Sequence, residues 1–301
     1  MDVLLRLLWM LGVLLVGTGL RGVGALNASR TDRLNAATYY VALPSLVFVA
    51  TYDRSIADLL SGALVVAVLA SLLGTAAVAW LLHRNRPTAR RSVAVVQSYH
   101  SNLGYLGLPL VAATFEPDVT ALASVVLGVA LLVQVPLTVT VLSTVNGAET
   151  SVAREASALA RNPVLIALVA GVAIGAAGVP VPVVVTSGLD LLGSLVLPLA
   201  LLCVGASLRV DLPVTDPGAT GSVLALKLGL APAIAWLTLS GFGVGSAALA
   251  AGVVMLGTPT AVSTYVFATE LGGDAEFASR NVFATTVASI ASLYAIIGLI
   301  G

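Results

Sequence analysis

Apolar residues run along this chain in long blocks. Ten stretches of roughly 20 mostly apolar residues, the length at which a helix crosses the hydrocarbon core, cover residues 3–20, 34–51, 59–82, 92–115, 120–144, 163–179, 183–208, 222–239, 247–271 and 277–300. The divisions at GVPVPV (178–183) and at the short loop GFGVG (241–245) are the least sharply marked. The pattern predicts an all-α integral membrane protein with ten transmembrane helices.

One block carries an unusual polar load. QSYHSNLGYLGLP (97–109) places Gln97, Ser98, His100, Ser101, Asn102, two glycines and a proline inside the fourth run. A helix with those residues must break, and each backbone group freed in lipid costs several kcal/mol unless something satisfies it. Its counterpart is the ninth run, VVMLGTPTAVSTYVFATELGGD (253–274), with GTPT at its middle and Ser263, Thr264 and Tyr265 after it. A lone kink is commonly only a kink; two interruptions at matching places are the best sequence pointer to a transporter site. Proline removes a donor and clashes with the carbonyl four residues back, and glycine permits unwinding. The freed N–H groups suit an anion, the freed carbonyls suit a cation or donor, and Asn102 adds both a donor and an acceptor.

Matching places are defined by the middle of the chain. The loop NGAETSVAREASALAR (146–161) divides it into a first five-helix repeat (1–145) and a second (162–301) of opposite orientation, the inverted arrangement of many secondary transporters. ALPSLVF (42–48) and VLPLALL (196–202) place a proline alike in the second and seventh runs, and GVLLVGTG (12–19) resembles GVAIGAAG (171–178).

Composition agrees with the blocks. Of 301 residues 58% are hydrophobic and 9% charged, with a mean hydropathy of +1.05, whereas a soluble domain carries about 25% charged residues. The N-terminal run, with Arg6 near its start, imitates a secretory signal. It is too long, ends in RGVG without a small-residue cleavage site, and precedes no soluble domain, so it is read as the first membrane helix. Cys203 is the single cysteine and has no intrachain partner. No basic patch with interleaved aromatics points to nucleic acid, and no zinc spacing, Walker loop or Ser-His-Asp set points to a metal, a cofactor or hydrolysis.

Net charge is zero, but thirteen arginines and one lysine are unevenly placed. With ten spans, one set of loops holds Arg21, Arg30, Arg33, Arg84, Arg86, Arg90, Arg91, Arg154, Arg161 and Arg209, with Arg280 just inside the last run on that side. The other set holds Arg54 alone. The positive-inside rule then places the arginine-rich loops in the cytoplasm and both termini outside, in a multi-pass protein of the cell membrane.

The interrupted segments carry a resemblance. NLGYLGLPL (102–110) is similar to the N-x-G-[F/Y]-x-G-x-P segment of the auxin efflux carrier family, which shares a superfamily with the bile acid:sodium symporters. LPSLVF (43–48), RNPVLIALVAGVAIG (161–175), LPLALLCVGASL (197–208) and TPTAVSTYVFATELGGD (258–274) resemble that family's segments in the same order. The resemblance implies two inverted five-helix repeats, with broken helices 4 and 9 crossing at their centres. It further implies elevator-type transport of a small organic anion and a possible homodimer. Asn102 and Pro109 match the first crossing segment, and Pro259 with its neighbours matches the second. The long central loop of the plant auxin exporters is absent, which puts auxin itself in doubt as the substrate.

The candidate substrate-binding residues are therefore Ser101, Asn102, Gly104, Pro109, Thr258, Pro259, Thr260, Ser263 and Thr264, for a carboxylate as substrate. A sodium-coupled symporter of the bile acid type is the alternative. Those symporters carry a glutamate and a glutamine on the crossing part of the ninth helix, whereas 253–269 contain no acidic residue and Glu270 lies near the cytoplasmic end. Hydroxyls and Asn102 would have to supply the oxygens.

Asp190, one to two turns inside the seventh run, reads as a proton relay or ion ligand, or as a residue near the outer interface. His100 reads as a titrating relay or a hydrogen-bonded packing residue, and with Ser98 or Ser101 it is the only candidate for an intramembrane enzyme. Lys227, at the start of the eighth run, is expected to snorkel to the cytoplasmic interface, or else to balance an anion. Gln97 and Gln134 are expected to bond between helices, and Asn281, Thr285, Thr286 and Ser289 share one helix face turned inward. Asn27-Ala28-Ser29 matches a glycosylation pattern on what is read as a cytoplasmic loop.

Overall fold

The computed structural model of the chain describes residues 3–55, 59–207 and 216–300, and among them helices and their connections account for the whole fold, without a strand. Arg209, placed above among the cytoplasmic anchors, and Leu208, the end of the seventh run, lie outside the described residues. In chain order the helices begin with α1 (Val3–Gly22), α2 (Ala28–Thr51), α3 (Gly62–Leu82), α4 (Thr88–Tyr99), α5 (Leu103–Thr114) and α6 (Pro117–Asn146). They continue with α7 (Val152–Ala160), α8 (Pro163–Ala177), α9 (Val183–Ser207), α10 (Pro217–Gly241), α11 (Ser246–Leu256), α12 (Ser263–Glu270) and α13 (Ala275–Ile300).

Seven of these, α1, α2, α3, α6, α9, α10 and α13, are long and apolar enough to cross a membrane among the described residues. The runs expected at 92–115, 163–179 and 247–271 consist of shorter helices. The first and third are divided between α4 and α5 and between α11 and α12. In the second, α8 stops after 15 residues because Gly178 takes a left-handed conformation (φ 60°) that caps it. The central loop holds a short helix of its own, α7.

Three helices contain a π turn, and each turn lies just before a proline: Thr38–Ala42 before Pro44, Leu103–Gly107 before Pro109, and Ala225–Leu230 before Pro232. The proline ring cannot donate to, and collides with, the carbonyl a turn earlier; widening that turn relieves both problems without ending the helix. Helix entries are capped by side chains. Asn162 Oδ1 accepts from the N–H of Val164 and Leu165 at 2.9 and 3.2 Å. Asn27, of the glycosylation pattern, accepts from Arg30 N–H at 3.0 Å and is the cap of α2.

The helices pack in two groups. In one, α1 lies along α9, and α2 is held by α8 and α9. Glycines allow the backbones to approach: a Cβ on Gly205 would overlap the Leu14 carbonyl, one on Gly17 would overlap that of Leu202, and one on Gly193 would come within 3.1 Å of the Leu46 backbone. The other group gathers α3, α4, α5, α6 and α10 to α13, so it contains all four interrupted pieces. At one end of this group Arg90 bridges Asp274 at 2.9 Å and Asp216 at 3.3 Å, and Arg86 reaches Asp216 at 3.0 Å. That cluster ties the entries of α4, α10 and α13, and Asn146 at the end of α6 donates to Leu271 O beside it at 3.0 Å. The Ala219 N–H, and after it the two arginines, hold the Asp216 carboxyl below its usual range; the hydrogen bond to Asp274 raises the Arg90 guanidinium.

Candidate functional site

Between α4 and α5 the chain leaves the helix for three residues, His100 to Asn102, with Asn102 at a tight turn closed by Leu103 N–H on Ser101 O, and between α11 and α12 it leaves the helix over 257–262. These two segments run antiparallel beside each other. Ser101 pairs with Thr260 as an isolated bridge. Asn102 N–H donates to Pro259 O at 2.8 Å, and Ala261 N–H donates to His100 O at 3.1 Å, an oxygen that also accepts from Thr260 Oγ1 at 3.3 Å. Backbone groups released by one interruption are thus satisfied by the other, which answers the cost of breaking a helix in lipid. The approach is close: a Cβ on Gly107 would come within 2.8 Å of Met255 Sδ and 3.2 Å of Thr258 Cγ2.

Side chains from neighbouring helices fix this crossing. Gln134 on α6 reads both backbone groups of Ser101, accepting from its N–H at 3.2 Å and donating to its O at 3.3 Å. Gln97 Nε2 donates to Thr264 Oγ1 at 3.0 Å and Ala278 O at 2.9 Å, while Asn281 Nδ2 donates to Gln97 Oε1 at 2.8 Å. The expected interhelical role of Gln97 and Gln134 is therefore met. Asn281, Thr285, Thr286 and Ser289 are buried, as their shared face predicts.

A cavity of about 490 Å³ opens beside the crossing. His100, Ser101, Asn102, Gly104 and Ser263 line it on this side; Tyr39, Tyr40 and Leu43 of α2 face them, and Asp32 and Asn35 stand at the α2 entry. Gly104, Tyr105 and Ser263 belong to the first turns of α5 and α12, whose N–H groups have no partner within the helix. The Asn102 side chain, 5% exposed, makes no hydrogen bond among the described residues and so keeps its amide available to the cavity. Most of the lining is apolar.

Pro109, Thr258, Pro259, Thr260 and Thr264 do not line the cavity. They build the crossing: Thr258 Oγ1 donates to Met255 O at 2.8 Å, and Thr264 Oγ1 to Ala261 O at 2.7 Å. Asp190 is exposed on α9 and is not among the cavity residues. His100 is 2% exposed, with Nδ1 2.8 Å from Thr138 Oγ1 and its ring between Tyr99 and Phe267. Neither serine considered as its partner turns to it: Ser98 Oγ donates to Ala94 O and Ser101 Oγ to Leu256 O.

Lys227 departs from its expected role. It does not snorkel: its side chain is fully buried, and Nζ donates to Ser101 Oγ at 2.7 Å and Leu256 O at 2.8 Å. α10 begins at Pro217, capped by Asp216 Oδ1 on Ala219 N–H at 2.9 Å, five residues before the start expected from hydropathy. Ten residues of helix, about 15 Å, then separate Lys227 from that end, too far for its stem. The signal lay in the sequence: Asp-Pro is a helix-start pair, and it moves the only lysine to mid-span.

A family described as membrane transport protein matches the chain over residues 3–160 and again over 151–297. The chain belongs to that family, the auxin efflux carrier family. No curated protein matches the chain. Membership in the auxin efflux carrier family accounts for the composition, since a multi-pass membrane transporter has apolar helices in lipid and only short polar connections.

Proposed function

We propose that this member of the auxin efflux carrier family is a secondary carrier for a small organic carboxylate. The observation that carries the reading is the cavity at the crossing. It offers an unpaired Asn102 amide and the first-turn N–H groups of Gly104, Tyr105 and Ser263 at one end, and apolar walls over the rest of a volume of about 490 Å³. Donors at one end and an apolar body elsewhere match a carboxylate bearing a hydrocarbon or aromatic group. Asp32, the acidic residue at the cavity, disfavours a multiply charged anion.

The helix count and the motion belong to the same proposal. Taking α4 with α5 and α11 with α12 as single crossings, and α8 as a short one, gives ten spans in two inverted halves. The packing groups then divide the work: α1, α2, α8 and α9 are the scaffold, and the group holding the crossing moves against it as an elevator. With the arginine-rich loops in the cytoplasm, the Asp32 end of the cavity opens inward.

Sodium is not required by this reading. Of the oxygens that would have to surround it, Ser101 Oγ already accepts from Lys227, whose charge would repel a cation, and Thr258, Thr260 and Thr264 do not line the cavity. The test is thermal stability of the purified protein against a panel of monocarboxylates, each in sodium and in potassium. A ligand at 100 times its Kd stabilises the folded protein by about 2.7 kcal/mol. Equal shifts in both salts, lost in Asn102→Ala, support the carrier; a shift confined to sodium supports the symporter, and no shift with any carboxylate overturns both.

A further inference from the structure

Lys227 raises a question that the crossing alone does not answer. A buried ammonium costs several kcal/mol unless a negative charge compensates it. Among the described residues no carboxylate lies within ion-pair distance of Nζ. Its two acceptors are a hydroxyl and the carbonyl of Leu256, the last residue of α11. The helix C-terminus supplies only a partial negative charge, equivalent to about half an electron. In the empty cavity the amine therefore has no full negative partner among the described residues, and a bound anion is what would hold its proton in place. Packing alone would be served as well by methionine or leucine.

The position of that charge is specific. Nζ is 2.7 Å from Ser101 Oγ, and Ser101 lines the cavity next to Asn102 and Gly104. Lys227 itself does not line it. Ser101 stands between them: its hydroxyl accepts from the ammonium and donates to Leu256 O, its backbone is clamped on both sides by Gln134, and the charge acts on the cavity through space. An anion at Ser101 and Asn102 would lie one hydroxyl away from the ammonium, in surroundings with little water to screen it.

We propose that Lys227, beside Ser101, is the positioning residue whose ammonium charge makes the cavity select a carboxylate over an uncharged molecule of the same shape. The inference rests on the carboxylate reading above and adds the source of its charge preference. Asn102 and the helix N-termini orient the acid group; Lys227 supplies the full charge that they lack.

The test compares ligands that differ in charge alone. Binding of 3-phenylpropanoate and octanoate, and of 3-phenylpropanamide and octanamide, is measured on the purified full chain for the parent, Lys227→Met and Lys227→Arg. The parent is expected to prefer each acid over its amide. Lys227→Met should bind the acids about 100-fold more weakly, from the loss of a charge roughly 5 Å away at intermediate dielectric, and the amides unchanged. Lys227→Arg should keep the preference for the acid. A Lys227→Met protein that keeps the preference, or loses acid and amide equally, overturns the inference and leaves the carrier reading standing. A parent that binds none of the acids, or binds them no better than the amides, overturns the carboxylate reading and this inference with it. Where Lys227→Met does not purify folded, Lys227→Gln takes its place with the same expectations.

Discussion

The Asn102 backbone N–H donates to the Pro259 carbonyl at 2.8 Å, across 157 residues of sequence. Each residue belongs to an interruption that would be prohibitive in lipid alone, and together they satisfy a donor and an acceptor that their helices released. The crossing is therefore a cooperative object: neither break is stable without the other.

Asn102 has a second part in this arrangement, since its side chain is unpaired beside the cavity. Asn102→Ala keeps the backbone bond and removes the amide. A hydrogen bond to a charged group contributes about 1.5–3 kcal/mol, so carboxylate affinity should fall roughly 10- to 150-fold. Titration calorimetry with the tightest carboxylate of the panel measures this. Unchanged affinity would place the acid group elsewhere.

Gln97 joins three helices through Thr264, Ala278 and Asn281 while itself fully buried. Gln97→Leu fills the volume but strips Asn281 Nδ2 of its acceptor and removes the donor that Thr264 Oγ1 and Ala278 O share. Leaving a buried polar group unsatisfied costs about 1–3 kcal/mol, so the melting temperature in detergent should drop by several degrees. A melting temperature equal to the parent's would show that water replaces the amide.

The α1–α9 contact depends on two missing side chains. Gly205→Ala puts a methyl into the Leu14 carbonyl, and Gly17→Ala one into that of Leu202, whereas nothing lies within 4 Å of a Cβ on Gly12. Overpacking of this kind costs about 1–3 kcal/mol. Thermal unfolding should rank Gly205→Ala and Gly17→Ala well below Gly12→Ala, and the last should match or exceed the parent.

His83, just beyond the end of α3, is 1% exposed with both ring nitrogens unpartnered. Burial first, and the Arg86 charge second, bring its pKa from 6.5 down to about 4. The neutral imidazole is the folded form. Between pH 6.5 and 4 the unfolded chain binds a proton that the folded protein refuses, so stability falls as the solution is acidified. The loss reaches about 2 kcal/mol at pH 5. His83→Phe should abolish this part of the pH dependence in unfolding curves measured from pH 7 to pH 5; a parent with a flat profile there would contradict it.

Much of this protein is legible from its residues taken one stretch at a time. Apolar length gave helices long enough to cross a membrane, Gly and Pro inside apolar runs gave the non-helical stretches at 100–102 and 257–262, and the spacing of Asn281, Thr285, Thr286 and Ser289 gave a buried face. These are local properties, since a proline lacks its N–H in any surroundings and a 20-residue apolar segment partitions into lipid wherever it lies. The three π turns follow the same logic, each preceding its proline.

What only the tertiary structure decided is which separated groups meet. Hydropathy drew the eighth run from residue 222 and so left Lys227 at an interface; the Asp216 cap starts the helix earlier and carries the ammonium to Ser101, 126 residues away in sequence. Pro109, Pro259 and the threonines around them read as candidate ligands; the fold places them off the cavity lining, with the hydroxyls of Thr258, Thr260 and Thr264 donating to carbonyls. Composition cannot distinguish a hydroxyl that binds from one that donates to the carbonyl a turn behind it. That distinction depends on which partner is within 3 Å once the chain has folded.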